Sequence, residues 1–507
     1  MMLVFALLVM LATLYVHRHQ RPNFPPGPQE LPFIGNLHQI PATNSWRTFK
    51  TWHGIYGPII SVKLGTRRMV VLGSHEVARD LLVKRAAIYS SRPKVLTDRA
   101  SNGLHMGFMP SGPRWAAHHR IHASLVNKRA SQGYQPIQDL ESTQLVYELL
   151  STEDFPSRFH RFASSVINSL AYGKRLERGD EHEVKEIKQV TEKIAGEAVN
   201  VIAEAFPILD CLPKCLAPWK RAAEALHQRQ VDLFKYLMEF AFQSPSWNWT
   251  KQVEELSKGY EMDWMERGYI IGSLYQAGND TTAIALEVFV LACVLHPDAV
   301  HQAHRELDQV VGRSRLPSFD DMYFLPYVNA FLNEVLRWRS VAPGGLHHAT
   351  VKDDQYRDFH IPKGTIVVAN HWSLDMDGEL FDRPEDFNPD RWIQNPNLPL
   401  SAFGFGQRVC PGQHIARNSL FIAISRLIWA FEFRHAYCDG EKLEINPLEM
   451  TQGLSSRPLP FKASIQVRGP EIQQVIEQAW TEAEKDVNVL LENMELGLSN
   501  RPVAKYL

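Results

Sequence analysis

An excess of charge of either sign is missing from this chain: 54 lysines and arginines face 56 aspartates and glutamates, a formal net charge of -2. That balance gives no electrostatic footing for nucleic acid. Cysteine is scarce, five residues widely spread, which suits a reducing compartment better than a disulfide framework. Cys211 and Cys215 flank Pro213 without the company a zinc site needs and read as structural. No Gly/Ser-rich linker, low-complexity run or internal repeat divides the 507 residues, so one large fold with appendages is expected. A membrane-spanning run of full length is absent from the N-terminus as well. Met1 to Val16 is free of charged side chains, but sixteen helical residues span only about 24 Å against a hydrocarbon core of ~30 Å.

With His17, Arg18, His19 and Arg21 directly behind it, that segment still reads as a single-pass anchor over residues 1–20, helped by snorkelling flanks or a thin bilayer. A cleavable signal would need a basic n-region and a small-residue cleavage site, and both are missing. The basic flank on the C-terminal side leaves the globular part in the cytosol, and a thin endoplasmic-reticulum membrane fits. The sequons at Asn248 and Asn279 would then escape glycosylation. The proline-rich stretch 21–28, with Phe24 to Pro28 reading FPPGP, is a stiff hinge that cannot continue a helix.

Residues 403–412 read FGFGQRVCPG. Glycines at 404, 406 and 412 let backbone pass close to a flat, bulky partner. Cys410 stands at the start of a helix expected from Gln413 to Phe431, where the partial positive charge favours thiolate, the metal-binding form. Arg408 adds a fixed cation for an acidic edge group of a cofactor. For an isolated cysteine, a small buried side chain in a turn is the plainer reading.

Trp264 to Leu295 is apolar on nearly every face and predicts a helix through the middle of the fold. AGNDTT at 277–282 breaks its own rules there: Gly278 costs about 1 kcal/mol relative to alanine, and Asp280 needs a partner. Thr281 can turn its hydroxyl back to the Ala277 carbonyl and open a groove. A bending threonine beside a salt-bridged aspartate is the plainer alternative. In 325–338, Glu334 and Arg337 share a helix face among apolar neighbours, and a buried carboxylate there wants a further donor, for which RPEDFNPDRW at 383–392 offers Arg391. Two β-branched runs around Gly65 and Thr66 predict a hairpin over 58–74. Residues 88–113 are irregular, PRWAAHHRIHASLV at 113–126 is helical, and 135–260 is mostly helical with no chemistry assigned.

The cysteine stretch resembles the haem-binding loop of the cytochromes P-450, with Phe403, Gly406, Arg408, Cys410 and Gly412 in the fixed positions. Ala277, Gly278, Asp280, Thr281 and Thr282 match the oxygen-binding groove of the same family, and Glu334, Arg337 and Arg391 match its structural triad. The resemblance covers 25–468. It implies a mainly α fold with a small β-rich region, its long central helix lying over a haem b whose iron is ligated by Cys410. It also implies that Thr281 steadies bound dioxygen and that Asp280 relays protons. Trp115 and His119 would meet a haem propionate, with histidine standing in for the usual basic residue, and His348 would reach another. Met106, Phe108, Val341, Leu346 and Leu454 would line the substrate pocket, closed on the far side by Gly453, Leu454 and Ser455. His347, Asp375 and Gly378 depart from the pattern, standing where proline, histidine and proline are common.

The implied activity is a haem-thiolate monooxygenase that oxidises a lipophilic small molecule with O2. Electrons come from NADPH through a separate reductase, cytochrome b5 being a further candidate donor, since the chain has no dinucleotide site of its own. A haem-thiolate isomerase or dehydratase that does not use O2, a non-catalytic haem-binding module and a non-haem membrane protein are the alternatives. The final motif region is similar to filamentous-fungal members of natural-product pathways, such as the O-methylsterigmatocystin oxidoreductase type. The catalytic domain is expected over 29–468, followed by a C-terminal helical extension, 469–507, without an assigned role. Arg114, Arg120, Lys128 and Arg129 mark a positive face that an acidic redox partner could meet.

Overall fold

The computed structural model describes residues 23–93, 99–197 and 204–499; the anchor expected over 1–20 lies outside them. Helices dominate and strands are few and short, the expected mainly α class with a small β-rich region. Strands Ile59–Leu64 and Arg67–Leu72 pair antiparallel around Gly65 and Thr66, with Leu64 opposite Arg67. Strand Ile366–Ala369 adds in parallel to the second, and His348–Ala349 completes a four-stranded sheet. The hinge docks on this sheet: the Pro26 carbonyl accepts the Ser61 amide at 2.8 Å, and the Arg68 guanidinium lies 3.9 Å from the Phe24 ring centroid.

The helical body is built round one 32-residue helix, Trp264–Leu295. Asp263 starts it by accepting the Glu266 amide at 2.8 Å, a cap that satisfies one of the helix's orphan donors. It is long and apolar enough to cross a membrane, yet 78% of its most apolar window is buried inside the protein. Burial on all sides is why its sequence shows no polar face. Helix Phe155–Tyr172 packs along it, and the glycine of AGNDTT sits at that contact: a Cβ on Gly278 would come within 2.7 Å of Ile167 Cγ1. Gly278→Val should therefore destabilise the fold by about 1–3 kcal/mol through overpacking. Chemical denaturation checks this, and an unshifted midpoint would refute it.

Helix Gln413–Ala430 follows the cysteine loop and is buried from Ser419 onward. Beyond 468, helices Pro470–Glu482 and Val487–Ser499 are not a loose appendage. Ile472, Ile476, Leu491 and Met494 are buried in the main core, and Trp480 stacks on Tyr147 at 5.6 Å. The end of the resembling region is thus not the end of the core.

Candidate active site

A cavity of about 370 Å³ is lined by the cysteine loop, the middle of the central helix, the irregular segment near residues 105–108, helix Pro113–Val126 and the strand entry 341–348. Backbone contacts set the turn of the loop. The Cys410 amide donates to the Phe403 carbonyl at 2.8 Å, and Gly406 has φ +59° with its absent Cβ only 2.0 Å from the Leu82 carbonyl oxygen, so no other residue fits. Burial pushes the Cys410 thiol up to about 11, against the opposing hydrogen bond from the Gly412 backbone. The helix terminus alone does not make the thiolate in this protein, because desolvation outweighs it. A cation beside the sulfur is what would.

Two arginines, Arg92 and Arg408, line the cavity. Arg408 is the residue expected there, and it stacks 4.2 Å from the Trp115 ring centroid. Its guanidinium donates to the carbonyls of Ser90, Met106 and Met109 at 2.7, 3.3 and 2.8 Å. Arg92, which the sequence reading passed over, donates to Gly107 at 2.9 Å and His347 at 2.6 Å. Among the described residues neither forms an ion pair with a carboxylate. Burial, and for Arg408 the neighbouring Arg92, lower their pKa values to about 10 for Arg92 and about 9 for Arg408. Trp115 Nε1 is buried and meets no acceptor among the described residues. His119 lies against Trp115, ring centroids 4.9 Å apart, and burial with the adjacent Arg408 charge lowers its pKa. His348 lines the cavity, and its Nδ1 meets the Tyr89 carbonyl at 2.9 Å, so that nitrogen carries the proton and Nε2 faces onward as an acceptor in the neutral ring.

On the central helix, Ala277, Asp280, Thr281 and Thr282 line the cavity; Gly278 faces Ile167 instead. Thr281 Oγ1 donates to the Ala277 carbonyl at 2.9 Å, the back-bond its position predicts. Asp280 is paired. One carboxylate oxygen takes the Arg457 guanidinium and the other the Ser455 hydroxyl at 3.3 Å. Arg457 also reaches Glu287 at 3.3 Å and His160 Nε2 at 2.9 Å. Since arginine only donates, His160 Nε2 accepts and the ring is neutral; burial, opposed by Asp280, lowers its pKa to about 4. Burial raises Glu287 to about 7 in spite of Arg457. Met106, Phe108, Val341, Leu346 and Leu454 all line the same cavity, as does Phe403, whereas Gly412 lies outside its lining.

Behind the cysteine loop, Glu334 gathers donors. Arg337 reaches it at 2.7 and 2.9 Å, Arg391 at 3.1 Å, the Asn388 amide at 2.9 Å and Trp392 Nε1 at 2.9 Å. Burial alone would raise its pKa, but Arg337 and then Arg391 leave it below the usual value of 4.5. Asp375, at the departure where histidine is common, is buried, accepts from Ser401 Oγ at 2.8 Å and gives its carbonyl to Arg337 at 2.8 Å. Burial pushes its carboxyl up to about 8.

The cytochrome P450 family model matches residues 25–465. The chain belongs to the cytochrome P450 family. It is 45% identical over 497 residues to cytochrome P450 monooxygenase aneD of Aspergillus aculeatus, covering 96% of this chain and 97% of that protein. It is also 45% identical to cytochrome P450 monooxygenase FrzL of Cladobotryum sp, over 95% of this chain and 94% of the relative. With drtD of Aspergillus calidoustus it shares 42% over 92% of this chain and 90% of that one. Its activity is that of a haem-thiolate monooxygenase, and the P450 family uses haem and O2 with electrons from a reductase.

The site of this P450 fits a haem. Two buried guanidiniums without carboxylates and an indole N–H without an acceptor suit acidic edge groups, and Cys410 supplies the sulfur. When bound, the haem supplies O2 activation, which a thiolate ligand favours by donating electron density to iron. Arg92, Arg457, His160 and Glu287 were missed by the sequence reading. Arg92 lies in an irregular stretch without a motif, and His160 in a helix whose pattern shows only core. Ser455 was placed at the pocket turn, and two residues further on Arg457 was the signal that could have paired Asp280. On the expected positive face, Arg114 is taken up by Glu266 at 2.7 and 2.9 Å, while Arg120 and Lys128 are exposed.

Proposed function

We propose that this P450 holds haem b through Cys410 and inserts one oxygen atom of O2 into a C–H or C=C bond of a lipophilic small molecule, in fungal secondary-metabolite biosynthesis. The observation that carries the reading is one cavity lined by Cys410, by Thr281 of the central helix, and by Arg92 and Arg408, which meet no carboxylate among the described residues. Arg92, Arg408 and the Trp115 N–H hold the propionates. Thr281 spends its proton on the Ala277 carbonyl, which leaves its lone pairs to hold a protonated donor inside the cavity. Asp280 delivers protons only when its pairing with Arg457 and Ser455 loosens. Electrons arrive from an NADPH-dependent reductase, with cytochrome b5 as a further donor, at an endoplasmic-reticulum membrane where the catalytic domain faces the cytosol.

The test is product profiling with reductase and O2, together with the reduced, carbon-monoxide-bound spectrum. Turnover that needs neither reductase nor O2 would favour the isomerase or dehydratase. NADPH use never coupled to product would favour a non-catalytic haem module. Thr281→Val keeps the side-chain shape and removes the hydroxyl; NADPH oxidation should persist while product falls at least about ten-fold and hydrogen peroxide replaces it. Full coupling in that variant would remove Thr281 from the proton path. Arg457→Gln frees Asp280 from its fixed cation and should change the product-to-NADPH ratio while haem content stays at the wild-type level; a ratio unchanged by the substitution would make the ion pair structural only.

A further inference from the structure

Among the described residues, four side chains lining this cavity carry a buried atom that can accept and meets no partner, Gln276 Oε1, His122 Nδ1, His371 Nδ1 and Thr191 Oγ1, and the first two side chains are held in place by a hydrogen bond from their Nε2. Gln276 lines the cavity on the central helix, one turn before Asp280, and is 5% exposed. The orientation of its amide is set from behind. Gln230, fully buried on helix Pro218–Gln243, directs its NH2 to the carbonyls of Ala100 at 2.7 Å and Leu226 at 3.3 Å. A carbonyl can only accept, so Gln230 must turn its own oxygen toward Gln276, which meets it with Nε2 at 3.1 Å. The relay leaves Gln276 Oε1 as the atom with no partner. His122 repeats the pattern at 1% exposure: its Nε2 lies 2.7 Å from the Ile270 carbonyl and so carries the proton, and Nδ1, a bare lone pair, is unpartnered. Burial holds that ring neutral, its pKa lowered to about 3.

A buried acceptor left unmade costs free energy, and a ligand that supplies the missing donor recovers it. Cations are disfavoured here by Arg92 and Arg408, and the single carboxylate among the lining residues, Asp280, is already held by Arg457. The rest of the lining is largely apolar, Met106, Phe108, Val341, Leu346 and Leu454 among it. We propose that the cavity selects a neutral, mostly apolar molecule bearing a hydrogen-bond donor, an N–H or an O–H, which Gln276 Oε1 accepts, with His122 Nδ1 as the second acceptor. Gln230 is then a positioning residue that keeps the Gln276 oxygen, rather than its NH2, available. This inference rests on the substrate cavity identified above and names the chemistry it reads.

Two ligand pairs test it by equilibrium dialysis against the full-length protein, a measurement that does not pass through the haem. One pair is 2-quinolone and its N-methyl derivative, the other 4-phenylphenol and its methyl ether; the first tests an amide N–H and the second a hydroxyl. In wild type the donor-bearing member of at least one pair should bind about ten-fold more tightly. Gln276→Met, similar in size but without the acceptor, should shrink that preference to about two-fold or less. Gln230→Leu should shrink it as well, because the Gln276 amide is then free to flip, and it carries the test should Gln276→Met fail to fold. Equal binding within both pairs in wild type, or a preference that survives both substitutions, overturns the proposal. A wild-type chain that takes up no haem but keeps the preference would overturn the monooxygenase reading and leave this one standing.

Discussion

Cys410→Ser yields a folded chain whose reduced, carbon-monoxide-bound spectrum has lost the thiolate signature and whose turnover with reductase and O2 falls to background. The backbone of the loop gives no reason for unfolding: the Cys410 amide keeps its bond to Phe403, and the strained position is Gly406. What changes is the donor. The thiol of Cys410 already needs a neighbouring cation to ionise, since burial pushes it up to about 11, and a serine hydroxyl ionises far less readily still. No other cysteine can take over, because Cys293 is buried in the central helix away from the cavity lining and Cys211, Cys215 and Cys438 are exposed elsewhere. Far-ultraviolet circular dichroism distinguishes lost ligation from lost folding. A Cys410→Ser protein with the wild-type spectrum would place the iron on some other residue and remove the basis of the oxygen chemistry.

The features legible in the sequence are those whose cause is local. The hairpin at 59–72 follows from two β-branched runs around a glycine, the central helix from its length and all-round apolarity, and the Thr281 back-bond from a hydroxyl four residues beyond Ala277. The cysteine loop was readable because five fixed residues within ten positions carry the pattern. Partners brought in from far along the chain were not readable. Arg457 meets Asp280 across 177 positions, and Arg92 reaches His347 across 255. Nothing in the spacing of either segment marks such a meeting. The amide relay from Ala100 through Gln230 to Gln276 joins three segments, one of them within 135–260, where the helical pattern shows core and no more. For Cys410 the helix terminus was visible in the sequence and the burial that opposes it was not.

Glu334→Ala should remove haem from the purified protein almost entirely and lower its stability by about 3–5 kcal/mol, the cost of leaving buried charge without its partner. Arg337 is fully buried and Arg391 nearly so, and without the carboxylate the Asn388 amide and the Trp392 indole lose an acceptor together with both guanidiniums. The damage reaches the cysteine loop through Asp375: its carbonyl accepts from Arg337, and its carboxyl holds Ser401, two residues before Phe403. Glu334→Gln separates charge from hydrogen bonding. It retains an acceptor for Arg337 and should keep part of the haem content, so that the order wild type, Gln, Ala in haem per chain follows the number of satisfied donors. The pH dependence has a definite sign. Because Glu334 lies below its ordinary value in the folded chain, its contribution is complete above about 4.5 and disappears as pH falls through the folded value. The Ala variant should therefore lose the part of the wild-type acid transition that Glu334 supplies. Equal haem content and equal denaturation midpoints in wild type and Glu334→Ala would show that the cysteine loop is held without this cluster.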